Sequence, residues 1–283
     1  ALQFGDAAAR AAALAALDTL GPHTASDLSN GLGFTPAGRD ALQAVALAQW
    51  TRSRSPRWGF ELFQSYLARG RLEQARTFYE GDGDLGEGIA RFLLALATPT
   101  DAPAPPAPSA CHGDALCLLL AGAEAVDRSD TRGLTAIRAA YDAPVDSARS
   151  ANEQGWMDWL KAGQDALGAY EAWRRGDAHG AFLTVSRIQE TPAAWGDFGA
   201  VLRTWMGQIA AQEGRTADAL AYFASLEEFT PLGWYGVLLR ARLHEETGDA
   251  AGAAREYRRF LDLWSDAPDD HPYVQEARRS AGA

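Results

Sequence analysis

Two similar blocks near the C-terminus constrain the fold of this chain more than any other sequence feature. Each block has a glycine, a small residue five positions later and an aromatic residue four positions after that. The blocks are Gly214, Ala219 and Phe223, followed by Gly248, Ala253 and Tyr257. The two glycines are 34 residues apart, and a period of about 34 residues is typical of stacked helix–turn–helix repeats.

Each position in a block has a structural role. Gly214 predicts the end of a helix, because glycine adopts positive φ without a steric penalty from Cβ. Ala219, one turn into the next helix, allows two antiparallel helices to approach closely. Phe223 lies on the same helical face and is expected to fill the seam between neighbouring helix pairs. Gly207 supplies the small residue on the preceding helix.

Weaker copies of the block occur upstream. They begin at Gly176, followed by Ala181 and Val185, and at Gly70, followed by Ala75 and Tyr79. A further helical hairpin is predicted at Leu116–Ala125 and Leu134–Tyr141, with its turn at Ser129 and Asp130.

The pattern resembles the tetratricopeptide-repeat family of bacterial type. Residues 196–264 carry the resemblance most clearly, and 156–192 and 58–80 carry weaker copies. It implies an all-α fold, a right-handed superhelical solenoid of antiparallel helix pairs. Apolar residues at helical spacing throughout the chain independently favour the all-α class. The resemblance also implies a non-enzymatic interaction module, an adaptor or a subunit docked on a larger assembly, whose partner is another protein or a peptide.

The family pattern places the binding surface on one face of the first helix of each pair. The residues at those positions here are Phe60, Gln64, Tyr170, Trp173, Arg174, Thr204, Gln208, Gln212, Tyr235, Leu238, Arg242 and Glu245. An alternative interpretation is that Trp173 and Tyr235 only pack between repeats.

Two further similarities leave other functions open. Residues 257–266 are similar to the closing repeat of helical regions attached to bacterial signalling kinases and transcriptional activators, which implies a sensory or regulatory region. Residues 234–239 are similar to the superhelix of soluble lytic transglycosylases, which implies the superhelical domain of a cell-wall enzyme without its catalytic part. The sequence contains no phosphate-binding loop, nucleophile elbow or His-Glu-x-x-His motif, so we expect no enzyme and no cofactor.

A proline-rich segment predicts the domain boundary. Residues 98–109 contain five of the 13 prolines, a composition that favours extended polyproline II structure over helix. We therefore predict an N-terminal helical block at 1–97, a semi-rigid linker at 98–109 and a solenoid at 110–283.

The net charge of −11 disfavours unspecific binding to nucleic acid, which requires a basic surface. Residues 11–49 also permit a winged-helix-like unit with 36–48 as recognition helix, but Arg39 is the only basic residue there. A helical hairpin that caps the solenoid is the alternative.

No apolar run reaches the roughly 18 residues that cross a bilayer. The chain begins at Ala1, and the sequence leaves open whether a leader or anchor was removed. The compartment is undecided, with extracytoplasmic (periplasmic) favoured over cytoplasmic.

The two cysteines, Cys111 and Cys117, allow three interpretations: two buried thiols, a disulfide or a metal site. A disulfide requires Cys111 to lie in a loop, because six residues along a regular helix separate two sulfurs too far. It would also indicate an oxidising compartment. A metal site is disfavoured, since Cys111, His112 and Cys117 match no common zinc spacing and a fourth ligand is missing.

Overall fold

The computed structural model describes residues 36–81, 85, 87–151, 153–191, 196–228 and 230–282. Within these ranges the chain forms 13 α-helices and no β-strand, so the all-α prediction is confirmed. The helices are α1 (Pro36–Ser53), α2 (Pro56–Ala68), α3 (Leu72–Gly81), α4 (Glu87–Ala97), α5 (Ala115–Asp127), α6 (Thr131–Ala151), α7 (Gln154–Arg174), α8 (Ala178–Gln189), α9 (Gly196–Gln212), α10 (Thr216–Ser225), α11 (Thr230–Glu246), α12 (Ala250–Leu263) and α13 (Pro272–Ala281). Short 3-10 turns occur at Pro108–Cys111 and Leu226–Glu228.

Much of the winged-helix hypothesis lies outside the described residues. The candidate recognition helix, 36–48, is part of α1. The two preceding segments of that hypothesis, and the start of the N-terminal block, fall within residues 1–35, which are not described.

The turns predicted from the repeat pattern are confirmed. Gly214 joins α9 to α10 with φ +73°, and Gly248 joins α11 to α12 with φ +80°. These values lie in the left-handed region, where a Cβ is strained. Asp249 then caps α12, because its carboxylate accepts a hydrogen bond of 2.9 Å from the N–H of Gly252.

The small and aromatic positions of the blocks are buried as predicted. Ala219 and Ala253 lie in the core, and so do the rings of Phe223 and Tyr257. Gly207 on α9 lies against the ring of Phe223 on α10. The two helices therefore pack closely through a glycine, an alanine and an aromatic ring, which is the role that each type was expected to play.

The weaker hairpin upstream is also present, as α5 and α6. Its turn contains Ser129 with φ +58°, a left-handed residue that is not glycine. Asp130 caps α6 by accepting a hydrogen bond of 2.8 Å from the N–H of Gly133. The left-handed Ser129 thus ends α5, and the Asp130 side chain starts α6, where the glycine of the pattern is missing.

The structure divides into two compact units. Unit 1 contains the described parts of residues 1–86, 96–100 and 224–283, and unit 2 contains those of 87–95 and 101–223. This division follows different boundaries from the predicted blocks 1–97 and 110–283, which remain a prediction. Unit 1 combines sequence from both ends of the chain.

Contacts between distant segments hold unit 1 together. Helix α2 packs against α11. The backbone N–H of Asp266 donates to the carbonyl of Arg69 at 3.2 Å, and its carboxylate accepts a hydrogen bond of 2.7 Å from Nε of Arg71. In a stack of helix pairs the contacts are mainly between sequence neighbours, and unit 1 has these long-range contacts in addition.

In unit 2 the helices pack in sequence order around one core. Helix α5 contacts α6 and α7, α7 contacts α8, and α8 contacts α9. The buried hydroxyl of Tyr141 on α6 donates a hydrogen bond of 2.8 Å to the carbonyl of Ala115 at the start of α5. This bond satisfies a polar group that would otherwise be costly to bury.

The proline-rich segment is attached to unit 2 through Arg91. The Arg91 side chain, buried on α4, donates hydrogen bonds to the carbonyls of Ala104 at 2.6 Å and Pro103 at 2.8 Å. It also pairs with Glu124 on α5. Residues 103 and 104 are therefore fixed to α4 and, through Arg91 and Glu124, linked to α5.

Candidate functional site

Among the predicted binding residues on α7, Tyr170 has a packing role. Its ring is buried and lies 4.5 Å from that of Trp205, between ring centroids. Its hydroxyl donates a hydrogen bond of 2.8 Å to the carboxylate of Asp127. Tyr170 therefore joins α5, α7 and α9 inside unit 2.

Trp173 and Arg174 lie beside Tyr170 but remain accessible. The indole N–H of Trp173 donates to the side-chain carbonyl of Gln212 at 2.6 Å. Nε of Arg174 lies 2.8 Å from the carboxylate of Asp127, and its guanidinium lies 5.9 Å from the centroid of the Trp173 ring. We call Trp173, Arg174 and Gln212 the Trp173 patch.

The other two predicted residues on α9 differ in exposure. Thr204 is buried, and its hydroxyl donates to the carbonyl of Ala200 at 3.0 Å. Gln208 is half-buried. Thr204 thus supports the helix backbone and presents no group to a ligand.

The predicted face of α11 is partly covered by other helices of unit 1. Leu238 and Tyr235 are buried, and burial raises the pKa of Tyr235 to about 12. Nε and Nη2 of Arg242 contact the two carboxylate oxygens of Glu276 on α13 at 2.7 and 2.8 Å. Glu245 accepts hydrogen bonds from the hydroxyls of Tyr257 and Ser280.

The Arg242–Glu276 pair also determines local ionisation. Burial alone would raise the pKa of Glu276, but the hydrogen bonds and positive charge of Arg242 hold it below its ordinary value. The hydrogen bond to Glu276 in turn raises the pKa of Arg242. Both groups are therefore charged at neutral pH, and each is hydrogen-bonded to the other.

The predicted residues on α2 form part of the core of unit 1. Gln64 is buried. Phe60 is half-buried and stacks on Phe63 with ring centroids 6.2 Å apart. Within the two units, the predicted residues thus form separate groups, and the accessible members of the set are Phe60, Trp173, Arg174, Gln208, Gln212, Arg242 and Glu245.

A groove between α7 and α8 was not predicted. It has a volume of about 840 Å³. Its lining residues are Gly155, Asp158, Trp159, Lys161, Ala162, Asp165, Thr184, Arg187, Ile188 and Thr191. We call this the α7–α8 groove.

The lengths of the two helices explain the groove. Helix α7 has 21 residues and α8 has 12, so at 1.5 Å per residue they are about 31 and about 18 Å long. The helices run antiparallel from the turn at Gly176, so the start of α7 extends beyond the end of α8. Side chains in the first turns of α7 therefore lie beyond the last residue of α8.

Trp156 and Trp159 lie in this part of α7, and Trp159 also packs against the core of unit 2. Their rings lie 4.9 Å apart, between centroids. Trp159 lines the groove, and Trp156 is 39% exposed. In the sequence, Trp156 lies four residues before the core residue Leu160, so helical spacing predicts that Trp156 is buried. Its exposure becomes visible only once the length of α8 is known.

The charged residues that line the groove include both positive and negative side chains. Nζ of Lys161 lies 3.0 Å from the Asp165 carboxylate, and the Asp158 carboxylate accepts from Gln154 at 2.7 Å. Nε of Arg187 donates to the carbonyl of Leu183 at 3.3 Å. A binding partner could therefore be anchored by apolar contact and oriented by either charge.

A second pocket, of about 570 Å³, lies in unit 1. Trp50, Tyr66 and Phe78 form its aromatic side, and Arg54 and Glu73 contribute charges. Arg54 has φ +51°, and its guanidinium lies 5.2 Å from the centroid of Trp50. The two charges are of opposite sign, so the pocket has no clear preference for an anion or a cation.

Cys111 and Cys117 form a disulfide in the structure, with Cα atoms 5.4 Å apart. Cys111 ends the 3-10 turn and Cys117 lies in the first turn of α5, so Cys111 lies outside the helix as a disulfide requires. In the described residues, no group of three or more potential ligands could hold a metal ion.

None of the described helices is both long and apolar enough to cross a membrane. No family model matches the chain, and neither a curated protein nor a solved structure matches it.

Proposed function

We propose that this chain is a non-enzymatic protein–protein interaction module of the tetratricopeptide-like kind. In this proposal its helix pairs wind into a right-handed superhelix, and it acts as an adaptor or as a subunit of a larger assembly. The α7–α8 groove binds a peptide segment of the partner that carries an apolar anchor side chain.

The repeated hairpin geometry supports the architectural part of the proposal. The turns at Gly176, Gly214 and Gly248 all have positive φ, and Ala181, Ala219 and Ala253 are all buried one turn later. The same arrangement of a positive-φ glycine and a buried alanine thus recurs in three consecutive helix pairs. Repeat folds of this kind usually provide extended binding surfaces.

The exposure of Trp156 beside the groove is the main observation that supports the proposed peptide binding. In the described residues the exposed large hydrophobic side chains are Leu47, Trp156 and Leu183, and the last two lie on α7 and α8. Tryptophan is enriched among residues that dominate binding energy at protein interfaces. A pair of contacting indoles at a groove therefore supports a docking surface better than a scattered apolar residue does.

The dimensions and charge of the groove support a peptide as its occupant. A volume of about 840 Å³ lies within the range of about 300–1,000 Å³ that is typical of ligand sites. Lys161 and Arg187 lie at the same groove as Asp158 and Asp165. A mixed rim of this type can pair with the backbone and side chains of a peptide but gives no continuous track for phosphates.

A peptide selection tests the proposal. A random peptide library displayed on phage is selected on the wild-type protein, and binders are compared on Trp156→Ala and on Leu47→Ala. Leu47 is a matched control, since it is 45% exposed but lies on α1. We expect selected peptides to lose at least about tenfold in affinity on Trp156→Ala and none on Leu47→Ala. Peptides that bind all three proteins equally would contradict the groove as the binding site.

A further inference from the structure

His271 occupies a defined position at the start of the C-terminal helix. It is 8% exposed and is the N-cap residue of α13. Its Nδ1 accepts a hydrogen bond of 3.2 Å from the backbone N–H of Tyr273. This bond satisfies one of the free N–H groups at the beginning of α13.

The second ring nitrogen connects α13 to the end of α4. Nε2 of His271 lies 2.9 Å from the carbonyl of Ala97, and the hydroxyl of Tyr273 donates to the carbonyl of Leu96 at 3.1 Å. The two hydrogen bonds thus join residues 96–97 to residues 271–273, about 175 positions away in the sequence. Both belong to unit 1.

The two bonds together fix the protonation state of the imidazole. A carbonyl oxygen can only accept, so Nε2 must carry a hydrogen to bond Ala97. A backbone N–H can only donate, so Nδ1 must be bare to accept from Tyr273. His271 is therefore neutral in this arrangement, with its hydrogen on Nε2. A second proton, on Nδ1, would point at the N–H of Tyr273 and remove the cap.

The surroundings offer little to stabilise a charged imidazole. The Trp264 ring at the end of α12 lies 5.2 Å from that of His271, between centroids, and α4 contributes carbonyls. Burial lowers the pKa of His271, although the Ala97 carbonyl and the charge of Asp270 act in the opposite direction.

The remaining charged groups near this end of α13 are already paired. Asp269 accepts from Arg278 at 2.5 Å, and Glu276 on α13 is paired with Arg242 on α11. Neither carboxylate forms a hydrogen bond to a ring nitrogen of His271, because those bonds go to Ala97 and Tyr273.

Helix α13 packs over two buried indole N–H groups and contributes one side chain of an ion pair, and all of these would change partners if the helix moved away. The Tyr273 ring lies 6.3 Å from Trp234 and 6.1 Å from Trp264, between centroids. The indole N–H groups of Trp234 and Trp264 are buried without a hydrogen-bond partner. Release of α13 would let water reach both N–H groups, which favours an open form. It would also separate Arg242 from Glu276, which favours the closed form, so the His271 bonds help to decide between the two.

We propose that His271 is a pH-sensitive latch that holds α13 on the end of α4 when neutral and releases it when protonated. The stabilising contribution is complete above the ordinary histidine pKa of about 6.5. It is lost as the pH falls below that value, because the open form then binds a proton more readily than the closed form. Release exposes Tyr273, Trp264 and Arg242.

Hydrogen exchange of the α13 amides in the full chain tests the latch. We compare the wild type with His271→Gln, which cannot titrate, and with His179→Gln as a matched control at a site whose side chain is 77% exposed. After correction for intrinsic exchange, we expect wild-type protection of α13 to fall several-fold, up to about tenfold, between about pH 7.5 and about pH 5.5. The His179→Gln variant should behave as the wild type, and His271→Gln should change much less over this range. Equal pH dependence in wild type and His271→Gln would overturn the proposal.

A proton NMR titration of the wild-type histidines decides the matter if His271→Gln does not fold. We expect His271 to be the Nε2–H tautomer at neutral pH and to titrate below about 6.5. A charged His271 at neutral pH, or titration at or above that value, would contradict the latch.

Discussion

Gly207 on α9 faces the Phe223 ring on α10 so closely that a Cβ on Gly207 would lie 2.4 Å from Cε1 of Phe223. The ring is buried and has no free space into which to move without disturbing its neighbours. The close approach of α9 and α10 therefore depends on the absence of a side chain at residue 207.

A Gly207→Ala substitution is expected to destabilise the protein. The added methyl group must displace the buried ring, and overpacking of this kind costs about 1–3 kcal/mol. Gly168→Ala is the control, because a Cβ at Gly168 on α7 meets nothing within 4 Å and alanine stabilises an exposed helix by about 0.5–1 kcal/mol. Urea unfolding of both variants should give shifts of opposite sign. A neutral Gly207→Ala would show that α9 and α10 do not pack in this register.

The alanine of the same block gives a second test of the packing. Ala219 is fully buried, so Ala219→Leu should lower the free energy of unfolding by about 1–3 kcal/mol. Ala217 is exposed on the same helix, and Ala217→Leu should be nearly neutral. Thermal melts that do not distinguish the two leucine variants would be incompatible with the buried position of residue 219.

Arg91 should contribute more to stability than a surface arginine that contacts the same carboxylate. Arg91→Ala removes the buried donor to the carbonyls of Pro103 and Ala104 and to the carboxylate of Glu124, at an expected cost of about 1–3 kcal/mol. Arg128 also pairs with Glu124 but is half exposed, so Arg128→Ala should cost less than about 1 kcal/mol. Limited proteolysis should cut the proline-rich segment faster only in Arg91→Ala. Similar proteolysis of both variants would mean that Arg91 does not hold the segment.

The state of the cysteines can be measured directly. The disulfide between Cys111 and Cys117 predicts no reactive thiol in unfolded, non-reduced protein and two after reduction. A loop of this length is expected to stabilise the folded state by about 2 kcal/mol through the unfolded chain. Two free thiols in protein isolated without reductant would exclude the bond under those conditions and weaken an extracytoplasmic location.

The local features of the fold were predictable from the sequence because their causes are local. A glycine with positive φ at Gly214 or Gly248, and an alanine one turn later, are determined by residues within one hairpin. The contact between Arg69 and Asp266 has no such signature, since nothing near either residue specifies a partner about 200 positions away. For the same reason the division into units differs from one placed at a proline-rich segment.

The candidate site was less predictable than the fold. The family pattern identifies a helix face but does not say which other helix covers it, and Arg242 is occupied by Glu276 of α13. Replacing Arg242 would therefore affect folding as well as binding, so Trp173→Ala is the cleaner test of the Trp173 patch. The exposure of Trp156 depends on the unequal lengths of α7 and α8, which apolar periodicity alone does not reveal.

Hydrogen exchange with a bound peptide tests the central claim most directly. A peptide selected on the wild-type protein is added at saturation, and exchange is compared along the chain. The account predicts slower exchange in residues 155–165 of α7 and 184–189 of α8, with residues 72–81 of α3 unchanged, and loss of the effect in Trp156→Ala. Protection confined to other helices, or retained in full by Trp156→Ala, would contradict the assignment of the α7–α8 groove as the binding surface.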